Sequence, residues 1–324
     1  MKQKGLHVGG PFFYPGKCDT TTAGKTMKVA VVGLGLIGGS MAKDLKKNRF
    51  ATEIIGVDNN PNHTRDALEL GIADQILPLQ QAVKAADLVI LAIPVDKIKH
   101  ILPEILDTIS AATTVTDVGS TKREIAATVE DHPLRGNYVA SHPMSGTENS
   151  GPKAALEKLF EGRLTIICDH EKSRPQHLAL VEKMYQSLGM SVAYMTSDEQ
   201  DHTTAFVSHL PHVTAFALAN AVLAKEDRNI IFDLASGGFN STVRLAKSSP
   251  EMWSPIFGQN RDYVVEALEV YIRHLKAFRD SLKQNDGEKM MALINQANNI
   301  RGVLEGNSHS LTKNEEKIIK LYTK

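Results

Sequence analysis

The segment Gly33-Leu34-Gly35-Leu36-Ile37-Gly38 constrains the fold more than any other stretch of this chain. It follows a short β-branched run, Lys28–Val32. It opens a helical pattern in which Leu36, Ile37, Met41, Ala42 and Leu45 recur at three- and four-residue spacing. Asp58 stands 20 residues beyond Gly38, at the end of a second strand-like run, 53–58. A strand, glycine turn, helix and second strand ending in an acid make a dinucleotide-binding unit. The first glycine permits the tight turn, the second lets a pyrophosphate approach the backbone, and the third lets helix and strand pack closely. The helix N-terminus presents free N–H groups and the positive end of its dipole to the phosphates. Asp58 can accept hydrogen bonds from ribose hydroxyls and would repel a 2′-phosphate, which favours NAD over NADP; Arg65 is the nearby group that suits the other cofactor. The expected cofactor-binding residues are therefore Gly33, Gly35, Leu36, Ile37, Gly38 and Asp58. Ile93 and Pro94 close the apolar run 87–93 and read either as a wall beside the cofactor or as a plain strand end.

The remaining patterning extends this unit into a layered α/β domain. Runs at 87–93, 114–118, 138–141 and 164–168 read as strands separated by helical segments, which implies βαβ units and a mainly parallel, doubly wound sheet of Rossmann type. After about residue 197 the strand signal stops. A long pattern at 203–225 is helical but carries Pro211, which removes a backbone donor and should kink or break it. Helical spacing returns over 254–283 and 290–303, with a turn signal at Asn285-Asp286-Gly287. The expected organisation is a flexible extension over 1–26, a nucleotide-binding domain over 27–197 and an all-helical domain over 198–324. The helical half offers more apolar surface than a few helices bury among themselves, which points to a homodimer.

Composition narrows the function classes. An apolar content of 42% excludes a disordered chain, and equal numbers of basic and acidic residues, 37 each, give no bias toward nucleic acid. The longest apolar stretch, 88–95, falls far short of the ~20 residues that span a bilayer, so no membrane association is expected. Cys18 and Cys168 have neither metal-ligand nor disulfide-framework spacing and read as free thiols of a reducing cytoplasm.

Four segments carry candidate chemistry. Asp117-Val118-Gly119-Ser120-Thr121-Lys122 ends a strand at the sheet edge where ligands bind. Ser120 could reach a ligand there, while Thr121 with Glu124 also fits a helix capping box. His142 follows the next strand, just before Pro143, and 146–152 reads as a loop over the crevice. Ser208 and His212 share one helix face as a polar pair facing a cleft, and no metal site is expected. Arg244, after a Gly237-Gly238 turn, offers a planar fork suited to a carboxylate, and Trp253 reads as core.

With these segments in view the chain resembles the prephenate dehydrogenase family, which includes the arogenate dehydrogenases. GLGLIGGS at 33–40, DVGSTK at 117–122, SHPMSGTENSG at 141–151, SHLPH at 208–212 and GGFNSTVRLA at 237–246 run in the family's order. The resemblance implies a nucleotide-binding domain followed by a helical dimerisation domain. It implies NAD-dependent oxidative decarboxylation of prephenate to 4-hydroxyphenylpyruvate. It also implies roles for this chain's residues: His142 accepts a hydrogen bond from the C4 hydroxyl as hydride leaves, Ser120 orients His142 or that hydroxyl, and Arg244 binds a substrate carboxylate. Thr147, Glu148, Ser208 and His212 line or gate the pocket. Asn240-Ser241 stand where many members have Arg-Asp, so an acid that might hold Arg244 or a neighbouring histidine is absent. No fused chorismate mutase or amino-acid-sensing domain is expected. The same chemistry on arogenate is one alternative, and a β-hydroxyacid dehydrogenase is a weaker one because no helical catalytic lysine stands out. A non-catalytic NAD sensor would need neither His142 nor Arg244.

Overall fold

The computed structural model describes residues 26–225 and 237–304. The expected N-terminal extension, apart from its last residue, and Cys18 lie outside them. The chain divides into two compact units between Arg261 and Asp262.

The first unit is built on an eight-stranded sheet: β1 (Lys28–Val32), β2 (Glu53–Val57), β3 (Gln75–Ile76), β4 (Leu88–Leu91), β5 (Thr114–Asp117), β6 (Tyr138–Pro143), β7 (Leu164–Cys168) and β8 (Ser191–Met195). Their order across the sheet is β3-β2-β1-β4-β5-β6-β7-β8. Neighbours are parallel except β6 and β7, which pair antiparallel through His142 opposite Ile166. The chain steps outward from β1 to β3, then returns to the other side of β1 for β4. This reversal puts the topological switch point between β1 and β4, where ligands of open α/β sheets bind beyond the strand ends.

Side-chain alternation explains why both faces are covered. Val29 and Val31 of β1 pack with Met41 and Leu45 of α1 (Leu36–Lys47) and with Val181 and Met184 of α6 (Pro175–Ser187). Ala30 and Val32 face the other layer, with Val83 of α3 (Leu79–Ala85) and Ile98, Leu102 and Ile105 of α4 (Val95–Thr108). Burial on both faces is what makes the central strands read as unbroken apolar runs. The sequence reading missed β3 and β8. β3 has two residues, and β8 is an edge strand in which Ala193 alone is buried, so neither carries a clear period.

The helical continuation starts with α7 (Ser197–Thr204), opened by a capping box between Thr196 and Glu199. A π-helical turn, Ala205–His209, follows, then α8 (Leu210–Leu223) with Pro211 in its first turn. The expected break is thus a widened turn, which accommodates the proline's missing donor without ending the run. The run Ser197–Leu223 is long and apolar enough to cross a membrane by length and composition alone, with mean hydropathy 1.3 over an 18-residue window. The sequence reading overlooked it because polar Ser, His, Thr and Asn interrupt the apolar residues. Its first turns are tied into the sheet layer, as described below.

Two further expectations need correction. Gly237-Gly238 is not a turn: it opens the helix Gly237–Val243, with Ser241 and Thr242 hydroxyls donating back to the Gly238 carbonyl at 2.9 Å. The helical spacing over 254–283 belongs to two helices, Pro250–Gln259 and Arg261–Gln284, parted at Asn260. In the second unit Asn285 adopts φ 52° and the Asp286 side chain caps the helix Gly287–Asn298, so the turn expected there is present.

Candidate active site

The glycine turn has the stereochemistry its spacing predicts. Gly33 has φ +96°, and a Cβ there would lie 2.4 Å from the Ala92 carbonyl oxygen and 2.7 Å from Cγ2 of Ile93. A Cβ on Gly38 would lie 2.0 Å from the Gly33 carbonyl oxygen, so the third glycine is required by helix–strand packing. A Cβ on Gly35 would meet nothing within 4 Å: the second glycine borders open space at the N-terminus of α1, whose first N–H groups no side chain caps. This shape fits a pyrophosphate, and Ile93 walls the turn. Pro94 is exposed and caps α4. The Asp58 carboxylate accepts from the Leu34 N–H at 3.0 Å and the Asn60 N–H at 2.9 Å. It braces the turn and keeps spare acceptor capacity for a ribose. Arg65 donates to Asn62 at 3.1 Å.

His142 lies inside β6 rather than beyond it, because Pro143 continues the pairing with β7. The side chain is 8% exposed. Nδ1 meets the amide nitrogen of Gln200, on α7, at 3.0 Å. Nε2 makes no hydrogen bond among the described residues, and it is not among the fully buried orphan atoms, so it is the accessible face of the ring. Burial, with Lys122 and His209 nearby, pushes the imidazole down to about 3, so it is neutral at physiological pH.

Behind His142 stands a buried polar network. Lys122 is completely buried; its Nζ pairs with the Asp117 carboxylate and donates to the Ser141 carbonyl at 2.8 Å. Asp117 also accepts from the Tyr138 hydroxyl at 2.7 Å and the Gly119 N–H at 2.9 Å. These bonds fix the ends of β5 and β6 relative to each other. Buried charge so fully partnered gives rigidity more than net stability.

The capping box expected at Thr121 and Glu124 is not formed. Thr121 instead donates to Gln259 at 2.7 Å, and Glu124 pairs with Lys99 at 2.6 Å. The N-terminus of α5 (Arg123–Ala127) is capped from outside: the Asp201 carboxylate accepts from the N–H groups of Lys122 at 2.7 Å and Arg123 at 2.9 Å. Burial raises Asp201 to about 6 despite those bonds. Ser120 lies between β5 and α5. Its carbonyl accepts from Gln200 at 3.1 Å, while its hydroxyl is buried without a protein partner. Ser120 and His142 are thus joined through Gln200, which the sequence reading missed together with Asp201. Thr196-x-x-Glu199 marks the start of α7, but Gln200 and Asp201 stand in a wholly polar run, 196–204, which does not single them out.

Ser208 and His212 meet within one helix, His212 Nδ1 contacting the Ser208 carbonyl at 2.9 Å. The His212 ring stacks on Trp253, with centroids 3.5 Å apart. Trp253 is buried, as expected, and belongs to the core. Arg244 opens a short 3-10 turn, Arg244–Lys247, and donates to Glu148 at 2.9 Å, both side chains remaining partly exposed. This contact joins the loop after β6 to the helical segment. Thr147 accepts from the Asn149 N–H at 3.2 Å within that loop. The segment after the loop is anchored on α1, where Leu156 N–H donates to Ser40 and Lys158 N–H to Asp44, each at 2.9 Å.

A family profile described as "Prephenate dehydrogenase, nucleotide-binding domain" matches residues 41–194, and one described as "Prephenate dehydrogenase, dimerization domain" matches 196–296. Prephenate dehydrogenase of Bacillus subtilis strain 168 is 32% identical over 277 residues, covering 84% of this chain and 75% of that protein. The chain belongs to the prephenate dehydrogenase family. A crystal structure of the Aquifex aeolicus prephenate dehydrogenase, in complex with hydroxyphenyl propionate and NAD+, matches with TM-score 0.79 and 32% identity, covering 86% of this chain and 99% of that one. Synechocystis arogenate dehydrogenase matches with TM-score 0.69 and 29% identity, over 85% and 99%. The chain is therefore a dehydrogenase of the prephenate and arogenate type, with the family's nucleotide-binding domain.

Proposed function

We propose that the chain is an NAD-dependent prephenate dehydrogenase that converts prephenate to 4-hydroxyphenylpyruvate in the cytoplasm, as a step of tyrosine biosynthesis. The observation that carries this reading is His142: buried, neutral, braced on one nitrogen and open on the other, at the same edge of the sheet as a glycine turn shaped for a dinucleotide. NAD+, held at Gly33, Gly35, Leu36, Ile37, Gly38 and Asp58 and walled by Ile93 and Pro94, supplies the hydride acceptor.

The side chains do the rest. As hydride leaves C4 its hydroxyl becomes strongly acidic, and neutral His142 stabilises that hydroxyl by accepting its hydrogen bond at Nε2. The Ser120 hydroxyl, buried and unpartnered, is free to orient the same group. Arg244 binds a substrate carboxylate by exchanging it for Glu148, and Thr147, Glu148, Ser208 and His212 line the entrance. Aromatisation drives loss of the ring carboxylate, and the scheme needs no metal. The join between the two matched profiles, at 194–196, supports a domain boundary near residue 197. The apolar outer face of α8 supports assembly as a homodimer.

A second reading is favoured by one contact. Arogenate carries an ammonium beside its side-chain carboxylate, and the Arg244–Glu148 pair offers a partner for each. Incubation with NAD+ and either substrate, followed by absorbance of the reduced cofactor, separates the two. Reduction with prephenate is expected, and His142→Asn should bind NAD+ normally while turning over at least ~100-fold more slowly. Reduction with arogenate alone would change the substrate but keep the mechanism. No reduction with either, NADP+ included, would overturn the enzymatic assignment.

A further inference from the structure

The amide of Gln200 has one chemically sensible orientation in the structure, and that orientation reaches the reacting side chain. Its nitrogen lies 3.1 Å from the Ser120 carbonyl oxygen and 3.0 Å from Nδ1 of His142, with Thr204 Oγ1 farther off at 3.4 Å. A carbonyl oxygen can only accept, so the atom facing Ser120 has to be the NH2 group; an amide oxygen there would oppose another oxygen. An NH2 group has two hydrogens and no acceptor capacity. One hydrogen serves Ser120, and the other points at Nδ1. Nδ1 must then be the bare nitrogen of the ring. Because His142 is neutral, its single proton sits on Nε2, the accessible nitrogen.

We propose that Gln200 is a positioning residue that sets the tautomer of His142, holding the ring as an Nε2–H donor in the enzyme without substrate. The consequence for turnover rests on the function proposed above. To accept a hydrogen bond from the C4 hydroxyl, Nε2 must give up this proton and Nδ1 must carry one. The atom within reach that can then accept from Nδ1 is Oε1 of the same amide, which is buried and has no partner. Turning the Gln200 amide to exchange the two tautomers brings Oε1 toward the Ser120 carbonyl, so the exchange also requires the side chain to move off that carbonyl.

His209 supplies an internal contrast. Asn260 presents its amide nitrogen in the same way, to the Asp201 carbonyl at 2.7 Å and to Nδ1 of His209 at 3.0 Å. There Nε2 is buried and unpartnered, so the arrangement meets no ligand. At His142 the same device ends on an open face. The charged and titratable groups around His142 are Lys122 and His209, with Asp117 and Asp201 bound to the Lys122 ammonium and backbone respectively.

The test reads the tautomer directly. Long-range 1H–15N spectra of the full-length labelled protein without substrate, with His142→Asn used to assign the ring, should show Nδ1 unprotonated and Nε2 protonated. A protonated Nδ1 would overturn the proposal. Gln200→Glu offers only acceptors, so it should move the proton to Nδ1. It should also raise the acid limb of kcat/KM by about one pH unit or more, because a carboxylate favours the imidazolium. Gln200→Leu should leave the ring without a preferred tautomer and lower kcat about tenfold, part of the full acid–base contribution, with the KM for NAD+ little changed. If Gln200 only fills space, Leu will leave the 15N shifts and the pH profile as they are, and the proposal fails. Should the Glu variant not fold, the wild-type spectrum and the Leu variant still decide. The free-enzyme spectrum needs no substrate, so an expected tautomer in a protein that reduces no NAD+ would refute the function and leave this assignment standing.

Discussion

Arg244 shows how a single side chain acquires its place from two distant segments. No carboxylate lies within six positions of it in sequence, and Glu148 is 96 positions away. Glu148 nevertheless takes the guanidinium, and its own carboxyl is held below the usual range, chiefly by its own backbone N–H and then by Arg244. The pair is partly exposed and solvent-screened, so it adds little stability, and under the proposed function a substrate carboxylate would displace it. Arg244→Lys loses the planar fork while keeping the charge. The expected outcome is a KM for prephenate raised about tenfold or more with kcat much less affected, read from steady-state kinetics. An unchanged KM would remove Arg244 from the substrate site. The motif residues were legible because their types match a chemistry. Gln200 was not, because a glutamine in a helix carries no signal until the fold sets its amide between Ser120 and His142.

At the scale of elements, the decisive contact is between α7 and the start of α5. The local sequence Thr121-x-x-Glu124 fits a self-contained capping box, yet a carboxylate 79 residues away caps the helix instead. A buried, charge-assisted acceptor bonding two N–H groups outcompetes a local hydroxyl, which is then free to bond Gln259. Asp201 therefore fixes both the first turn of α5 and, through its neighbour Gln200, the loop bearing Ser120. Asp201→Ala should cost about 1–3 kcal/mol, the scale of a lost cap with buried donors left unsatisfied. Urea denaturation would measure it, and a loss under about 0.5 kcal/mol would mean that the cap is replaceable. The π turn before α8 teaches a similar lesson. Pro211 announces a disturbance in the sequence, but whether the helix kinks, ends or widens depends on what packs around it.

For the whole molecule, buried titratable groups and a partly exposed apolar helix set the behaviour. His142 at about 3 and His209 at about 4 lie below the ordinary 6.5, so each contributes stability that is present above 6.5 and lost as pH falls toward those values. Asp201, raised from 3.8 to about 6, acts in the opposite sense and gains stability as pH falls across that interval. Among these three groups one histidine's effect is left over between pH 6 and 4, about 1.4 kcal/mol per pH unit, and His177 and His212, which burial also lowers, add to the loss. Urea midpoints across this range should fall with acidification, and fall less steeply in His209→Asn; midpoints that rise would contradict the balance. In α8, among the described residues, Ala215 alone is buried, while Leu218 and Leu223 are 37% and 49% exposed. A dimerisation domain accounts for such a face. Leu218→Glu should shift the protein from dimer to monomer in light scattering, and a wild-type monomer would refute the homodimer.

The strands, the glycine turn and the motif segments could be read from the chain because each depends on neighbours in sequence. Period-two burial, φ above zero at Gly33 and the close approach at Gly38 are local requirements that leave local marks. The edge strand β8, the cap on α5, the break at Asn260 and the bracing of His142 depend on groups brought together from far apart. β8 pairs with β7 at a separation of 27; the other three rest on desolvated hydrogen bonds whose partners are 51 to 80 positions distant, and no spacing rule encodes such a pairing. Candidate residues for the site could therefore be named from residue types, whereas the pairing of His142 Nδ1 with Gln200 was decided only when α7 packed against the ends of β5 and β6.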